Sequence, residues 1–298
     1  MLFSECFDTL VFACDNPFNL RDGNVIKRIN SSRNILALSP ITIAADPFLV
    51  VKDDTLYLFY EEYRYRNKGV IKMTSTRDLV KWSKTKVVLD EDFHLSYPWV
   101  FNHDGQWYMI PETSAVHELR LYRAVNNEFD CFELDKTILT HAAEDEYPVL
   151  DFCDSSIVNK DGFFFLFTTL NYGKGNELHL YYSDSFDGNY KVHPESPLIV
   201  SDKYGRNGGS LLEHEGILYR FAQDCEGEYG NNLHLFRVDT LTENQYEESI
   251  LQEAVLTRHG LSAGHQYNFV YFKGKYVVTI DQKRWVPFLT CKVKRLFQ

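Results

Sequence analysis

One pattern of apolar and polar positions recurs five times along the chain: an apolar run, a tight polar turn and a second apolar run. The copies are DPFLVVKDDTLYLFYEE from Asp46, YPWVFNHDGQWYMIPET from Tyr97, DSSIVNKDGFFFLFTTL from Asp154, GGSLLEHEGILYRFAQD from Gly208 and GHQYNFVYFKGKYVVTI from Gly264. Their starts lie 51, 57, 54 and 56 residues apart. Short apolar runs flanking turns such as Asp104-Gly105 or Asp161-Gly162 are the signature of a β-hairpin. A third strand is predicted after four of the hairpins, at Gly69, Leu119, Leu178 and Leu233, where apolar and polar residues alternate. An outer fourth strand is expected beyond each, in stretches such as VKWSK and NYKVHP.

Four strands repeated five times at a blade-sized period describe an all-β protein, a five-bladed β-propeller. The blades start near 46, 97, 154, 208 and 264, and no linker divides the chain, so 1–298 reads as one domain. The last copy is short of strands. The first forty residues are therefore expected to complete that blade and close the ring, since an open ring would leave sheet edges unpaired.

Composition agrees with this reading. Fifteen per cent of the residues are aromatic, with 22 Phe and 19 Tyr, which suits pleated strands better than helices. The 31 Lys and Arg against 42 Asp and Glu leave a net charge of −11. With no basic block to offset it, a nucleic-acid partner is excluded. The six cysteines form no C-x-x-C pair and give neither a zinc knuckle nor a disulfide framework, so buried, reduced thiols are expected. The opening segment carries Glu5 and Asp8 and no early Lys or Arg, unlike a signal peptide. No apolar run reaches the ~20 residues of a membrane span. A cytoplasmic protein without a transmembrane segment is the expectation.

The repeat also predicts where polar groups gather. In a propeller blade the first strand lines the channel and the second returns beside it, so the start of one and the end of the other share a face. Seven residues beyond the turn position of each copy stand Glu62, Glu112, Thr169, Gln223 and Asp281. The first strands begin at Asp46, Tyr97, Asp154, Gly208 (preceded by Arg206 and Asn207) and His265. Two polar rings about one axis point to a binding site at the channel mouth. Arg64, Arg66 and Lys68 cluster in the loop after the second strand of blade one; with Arg206 they suggest a ligand carrying a phosphate or carboxylate, such as a sugar phosphate or a nucleotide sugar. Trp99, Trp107, Tyr97 and Tyr229 are candidates to stack on a sugar face, or else core residues. Gly173-Lys174-Gly175 lacks the glycine spacing of a phosphate loop.

At Asp46-Pro47, Tyr97-Pro98, Asp154 and Gly264-His265 the chain resembles the five-bladed propellers of glycoside hydrolase family 43 and their relatives. The S-x-x-D-L-x-x-W phrase of Ser75, Asp78, Leu79 and Trp82 recurs there too. A nearer likeness is to the N-terminal propeller domain of plant glucosamine inositolphosphorylceramide transferases and of related bacterial polysaccharide-synthesis proteins. It rests on SYPWVF from Ser96, on Ile110-Pro111-Glu112, and on LYRFAQDC with Tyr229-Gly230. The hydrolase resemblance implies that Asp46 is a general base and Asp154 a carboxylate tuning the acid. It implies an axial histidine at His265, a residue that in those families helps to hold a calcium ion or a water. The blade-four Glu that should be the acid has no match; Arg206 and Asn207 stand there. Glu112, Asp224, Glu226 or Glu228 are the carboxyls left to replace it.

The sequence thus leads to an enzyme making or breaking a glycosidic bond in cytoplasmic polysaccharide or glycolipid assembly. Asp46 would be its base, Asp154 an orienting carboxylate and Glu112 its acid. Arg206, Asn207, Arg64, Arg66, Tyr97, Glu62, Gln223, Asp224, His265 and Asp281 are expected to bind substrate. A non-catalytic glycan-binding propeller is the alternative. No catalytic metal is expected; a structural cation near His265 stays open, as do the sugar, the linkage and the oligomeric state.

Overall fold

The computed structural model describes residues 3–31, 42–64, 68–140, 151–171 and 175–287. Five antiparallel sheets surround one axis. Blade one comprises Thr42–Lys52, Thr55–Arg64, Gly69–Thr76 and Lys86–Leu89, and blade two Ser96–His103, Gln106–Glu112, Glu118–Ala124 and Phe132–Thr140. In blade three Phe152–Lys160, Phe163–Asn171 and Asn176–Ser183 are followed by two short outer pieces, Lys191–Val192 and Ile199–Val200. The expected outer strand around VKWSK falls later, at Lys86–Leu89, because Trp82 forms only a single bridge to Thr76. There Asp78 Oδ1 accepts the N–H groups of Val80 and Lys81, so the S-x-x-D-L-x-x-W phrase builds a turn.

Blade four has a divided inner strand, Arg206–Asn207 and Leu212–His214, ahead of Ile217–Asp224, Asn232–Leu241 and Tyr246–Gln252. Gly209 in the gap has φ +129°, and a Cβ there would lie 2.2 Å from the Tyr267 carbonyl oxygen. Blade five joins Tyr267–Phe272 and Lys275–Pro287 to Phe3–Cys14 and Asn24–Ile29 from the other end of the chain. The expected closure is present: Thr9 pairs with Asp281 and Val11 with Thr279 in one antiparallel register. Residues 32–40, the rest of the segment expected to complete this blade, lie outside the described segments.

Both faces of each blade are buried, which is why the strands read as near-continuous apolar runs. Successive side chains point to opposite faces of a strand. Leu58 accordingly packs on Val11 and Val277 of blade five, while Phe59 packs with Val100 and Met109 of blade two. Leu166 and Phe167 divide in the same way between blades two and four. Five apolar seams, one between each pair of neighbouring blades, hold the ring. Among the described residues no helix is long and apolar enough to cross a membrane.

Three inner strands share a distortion that places the site. Between Ala45 and Phe48, Ser96 and Trp99, and Cys153 and Ser156 the register shifts. Within each irregularity one non-glycine residue takes a left-handed backbone: Asp46 (φ 49°), Tyr97 (φ 47°) and Asp154 (φ 50°). Bulges re-aim a side chain at the rim of a sheet, and a non-glycine residue held at positive φ is strained. Here the strain falls on two carboxyls and a tyrosine at the channel mouth.

Candidate active site at the channel mouth

A pocket of about 200 Å³ opens at the mouth, lined by Asp46, Glu61, Glu112, Asp154, Arg206, Tyr229 and His265, with His94, Ser96 and Phe7 at its edges. Ligand sites for drug-sized molecules span roughly 300–1,000 Å³, so this one suits a single sugar-sized group. A wider groove of about 520 Å³ runs between blades three and four beside Lys160, Gly216 and Arg237. That groove lies by the hairpin turns, away from the carboxyl cluster.

The pocket is organised around two cations. His265 places Nε2 2.8 Å from Asp46 Oδ1 and Nδ1 3.0 Å from Asp281 Oδ2. Asp46 Oδ2 accepts the Tyr97 N–H at 3.1 Å, and Asp281 Oδ1 accepts the N–H groups of His265 and Gln266 at 2.8 and 3.1 Å. Across the mouth, Arg206 donates through Nε to Asp154 Oδ2 at 2.6 Å, and its Nη2 lies 3.8 Å from Glu112 Oε2. The guanidinium sits over the Tyr229 ring, 5.1 Å from its centre. Gln223 also donates to Asp154 Oδ2, at 3.1 Å, and Asn207 Nδ2 donates to the Asp154 carbonyl at 3.0 Å. Thr169 accepts the Asn207 N–H at 3.1 Å.

This environment separates the carboxyls. Burial opposes charge on Asp46, but the attraction and hydrogen bond of His265, with the Tyr97 N–H and Arg206, hold it below the usual carboxylate range. Burial also opposes charge on His265, yet Asp281 and Asp46 together raise it to about 9. Burial, against the pull of Arg206 and with the push of Glu112 and Asp46, raises Asp154 to about 7. Glu112 is raised mainly by burial, with Arg206 opposing. Glu61 is raised well above the usual range, by burial and by Asp46, Glu112 and Asp281. One ionised carboxyl thus shares a pocket with carboxyls that favour their protons, the separation that acid–base chemistry requires.

Of the residues expected at the mouth, Asp46, Glu112, Asp154, Arg206 and His265 line the pocket. Tyr97, Asn207, Gln223 and Asp281 are buried directly behind them. Two expectations are corrected. Glu62 pairs with Lys72 at 2.7 Å, and Glu61 takes its place in the pocket. The reason is a one-residue slip: Asp53 is left-handed like Asp104, Asp161, Glu215 and Lys273, so Asp54, not Thr55, matches the turn glycines. A slip of one turns a strand residue to the other face. Asp224 faces His234 at 3.3 Å and accepts the Glu226 N–H at 3.0 Å, so it shapes the loop that carries Tyr229 instead of lining the pocket. Arg66 and the Arg64 side chain lie outside the described residues. Sequence reasoning missed Glu61, His94 and Ser96, although the corrected count reaches Glu61.

Asp46, His265 and Asp281 are the one group of three among the described residues whose ligand atoms, within 4.8 Å of one another, are spaced for a metal. The donor set fits poorly, because His265, raised to about 9, keeps its ring protons and its Nε2 already faces Asp46 at 2.8 Å; the buried Nδ1 lies 3.0 Å from Asp281 Oδ2 without a hydrogen bond to it. The positive charge between the two carboxylates is that of the imidazolium.

Solved structures similar to this fold include a family 117 glycoside hydrolase from Zobellia galactanivorans. Its TM-score is 0.57 at 10% identity, over 86% of this chain and 89% of that one. A second is a protein from Bacteroides ovatus, with TM-score 0.57 and 12% identity over 91% of this chain and 93% of that one. At such identities they establish the propeller fold alone. Closer in sequence is the glucosamine inositolphosphorylceramide transferase 1 of rice (Oryza sativa subsp. japonica), 38% identical over 217 residues, which are 70% of this chain and 28% of the rice protein. The Arabidopsis thaliana protein of the same name is 33% identical over 268 residues, 80% of this chain and 33% of that one. The chain therefore spans no more than about a third of these relatives. Residues 11–283 match the family described as glucosamine inositolphosphorylceramide transferase 1, N-terminal, and the chain belongs to that family.

Proposed function

We propose that the pocket acts on a glycosidic bond, with Asp46 as the base that takes the proton of an attacking hydroxyl. The observation that carries this reading is the pairing of an ionised Asp46, clamped by His265 and the Tyr97 N–H, with proton-retaining carboxyls in one small pocket. Glycosidic chemistry uses one ionised and one protonated carboxyl. Hydrolysis and transfer share the oxocarbenium-like transition state, so the same groups serve with water or with a sugar hydroxyl as acceptor. The transferase names of the rice and Arabidopsis relatives favour transfer, within polysaccharide or glycolipid assembly. The thiols of Cys14, Cys131, Cys153 and Cys225, none of them in a disulfide among the described residues, suit a reducing compartment such as the cytoplasm.

An anionic group on the substrate was expected to meet Arg206. That guanidinium turns inward, but Asp154 and Glu112 already engage it, and a bound anion would compete with both. Arg206 is therefore read as the group that holds Asp154 in place, with a neutral sugar ring in the pocket. Turnover of sugar nucleotides, sugar phosphates and aryl glycosides, compared between the wild type and Asp46→Asn, tests the reading. Activity lost in Asp46→Asn with ligand affinity retained is the expected result. Undiminished turnover in that variant would overturn it, and binding without turnover in the wild type would favour a glycan-binding propeller.

A further inference from the structure

The lining and floor of the pocket hold five carboxyls among the described residues, Asp46, Glu61, Glu112, Asp154 and Asp281, against two cations. The cations are taken: His265 serves Asp46 and Asp281, and Arg206 serves Asp154 and Glu112. Among the described residues Glu61, its side chain 9% exposed, meets only His94, whose Nε2 lies 3.5 Å from Glu61 Oε1. That imidazole is not a charge partner, because burial lowers its basicity. Its tautomer is also set: Nδ1 accepts the Gly69 N–H at 2.9 Å, so the neutral ring carries its proton on Nε2, the nitrogen nearer Glu61. Room for this pair exists because residue 69 has no side chain. A Cβ there would lie 2.8 Å from His94 Cε1 and 2.9 Å from Glu61 Oε1. A buried carboxyl without a cation keeps its proton. Glu61 is also anchored beside Asp46, since it pairs across the strands with Ala45, the residue before the bulge.

We propose that Glu61, steadied by His94, is the proton donor of this pocket, in place of the blade-four acid that Arg206 and Asn207 displace. The inference rests on the glycosidic reading of the site. As the bond between the anomeric carbon and the leaving oxygen breaks, the Glu61 proton passes to that oxygen. Asp46 accepts the proton of the attacking water or sugar hydroxyl as the new bond forms. One proton is given and one is taken, and both carboxyls then exchange with solvent, to which the His94 side chain is 38% open. His94 is a positioning residue.

Two measurements separate this inference from the reading beneath it. Infrared spectra of the wild type near pH 7, from which those of Glu61→Gln are subtracted, should show a protonated-carboxyl band that the variant lacks. Glu61→Asp should keep such a band. No lost band would overturn the proposal whatever the substrate. On aryl glycosides, Glu61→Gln should lose roughly 10²–10⁴-fold on poor leaving groups. It should lose far less on activated ones, and the alkaline limb of the pH profile should disappear. Equal losses on all leaving groups would overturn the donor role. A wild type that turns over no glycoside or sugar donor, with the band present, would overturn the glycosidic reading and the donor role with it, leaving a protonated Glu61 of purely electrostatic origin.

Discussion

Asp46 and His265, 219 positions apart in the sequence, meet at 2.8 Å between Oδ1 and Nε2, and the ring reaches Asp281 on its other side. Blade one and blade five are thereby joined by charge as well as by their apolar seam. Because folding raises His265 from an ordinary 6.5 to about 9, its stabilisation is fully present below pH 6.5 and is lost as pH rises through about 9. The full effect is on the order of 3 kcal/mol. Denaturant titrations from pH 6 to 10 should show the wild type weakening over that window. His265→Gln should be less stable at pH 6 and lack that slope; a parallel slope in both proteins would refute the linkage.

Arg206 is the next test, because the same side chain was expected to hold a substrate anion and is found holding Asp154. Removing one partner of a buried pair costs about 3–5 kcal/mol, and here Asp154 and Glu112 can relieve part of that by keeping protons. Arg206→Ala should thus be destabilised more at pH 8 than at pH 5, as measured by chemical denaturation. Affinities for a charged ligand and its neutral analogue should fall by similar factors. A selective loss of about 30- to 150-fold for the charged ligand would restore Arg206 as an anion anchor.

Blade four contains a second buried ion pair that has no part in the pocket. Arg220, with a side chain 0% exposed, donates through Nε to Glu248 Oε2 at 2.8 Å and through Nη2 to Oε1 at 2.5 Å. Its Nη1 reaches the Tyr204 carbonyl at 3.2 Å. Arg220→Met alone should cost about 3–5 kcal/mol, and Arg220→Met with Glu248→Leu much less. Unfolding free energies of these two variants and of Glu248→Leu alone check this; additive losses would show that the pair is not coupled.

Gly69 closes the set. A Cβ at this position would approach the Leu95 carbonyl oxygen to 2.2 Å as well as crowding Glu61 and His94. Gly69→Ala should lose about 1–3 kcal/mol of stability and disturb the Glu61 pair. A variant as stable as the wild type, with its carboxyl spectrum unchanged, would show that the strand simply moves aside.

The period of the hairpins was enough to fix five blades and their closure, because a propeller repeats one local pattern and buries both faces of every blade. Asp46, Glu112, Asp154, Arg206 and His265 were also legible, since each stands near the start of a first strand or at the end of a second, the ends that share one face. The slip from Glu61 to Glu62 shows where counting fails. The first hairpin has Asp53-Asp54 where the others have a glycine, and only the left-handed backbone of Asp53 reveals the true alignment. What the tertiary structure alone decided is the pairing of charges. Sequence places carboxyls and cations at one mouth, but whether Arg206 meets a ligand or Asp154, and whether Glu61 has a cation, depends on distances of a few ångströms between blades. Those distances are set by the bulges at Asp46, Tyr97 and Asp154 and by the space left at Gly69, since burial makes each such contact decide which carboxyl stays charged.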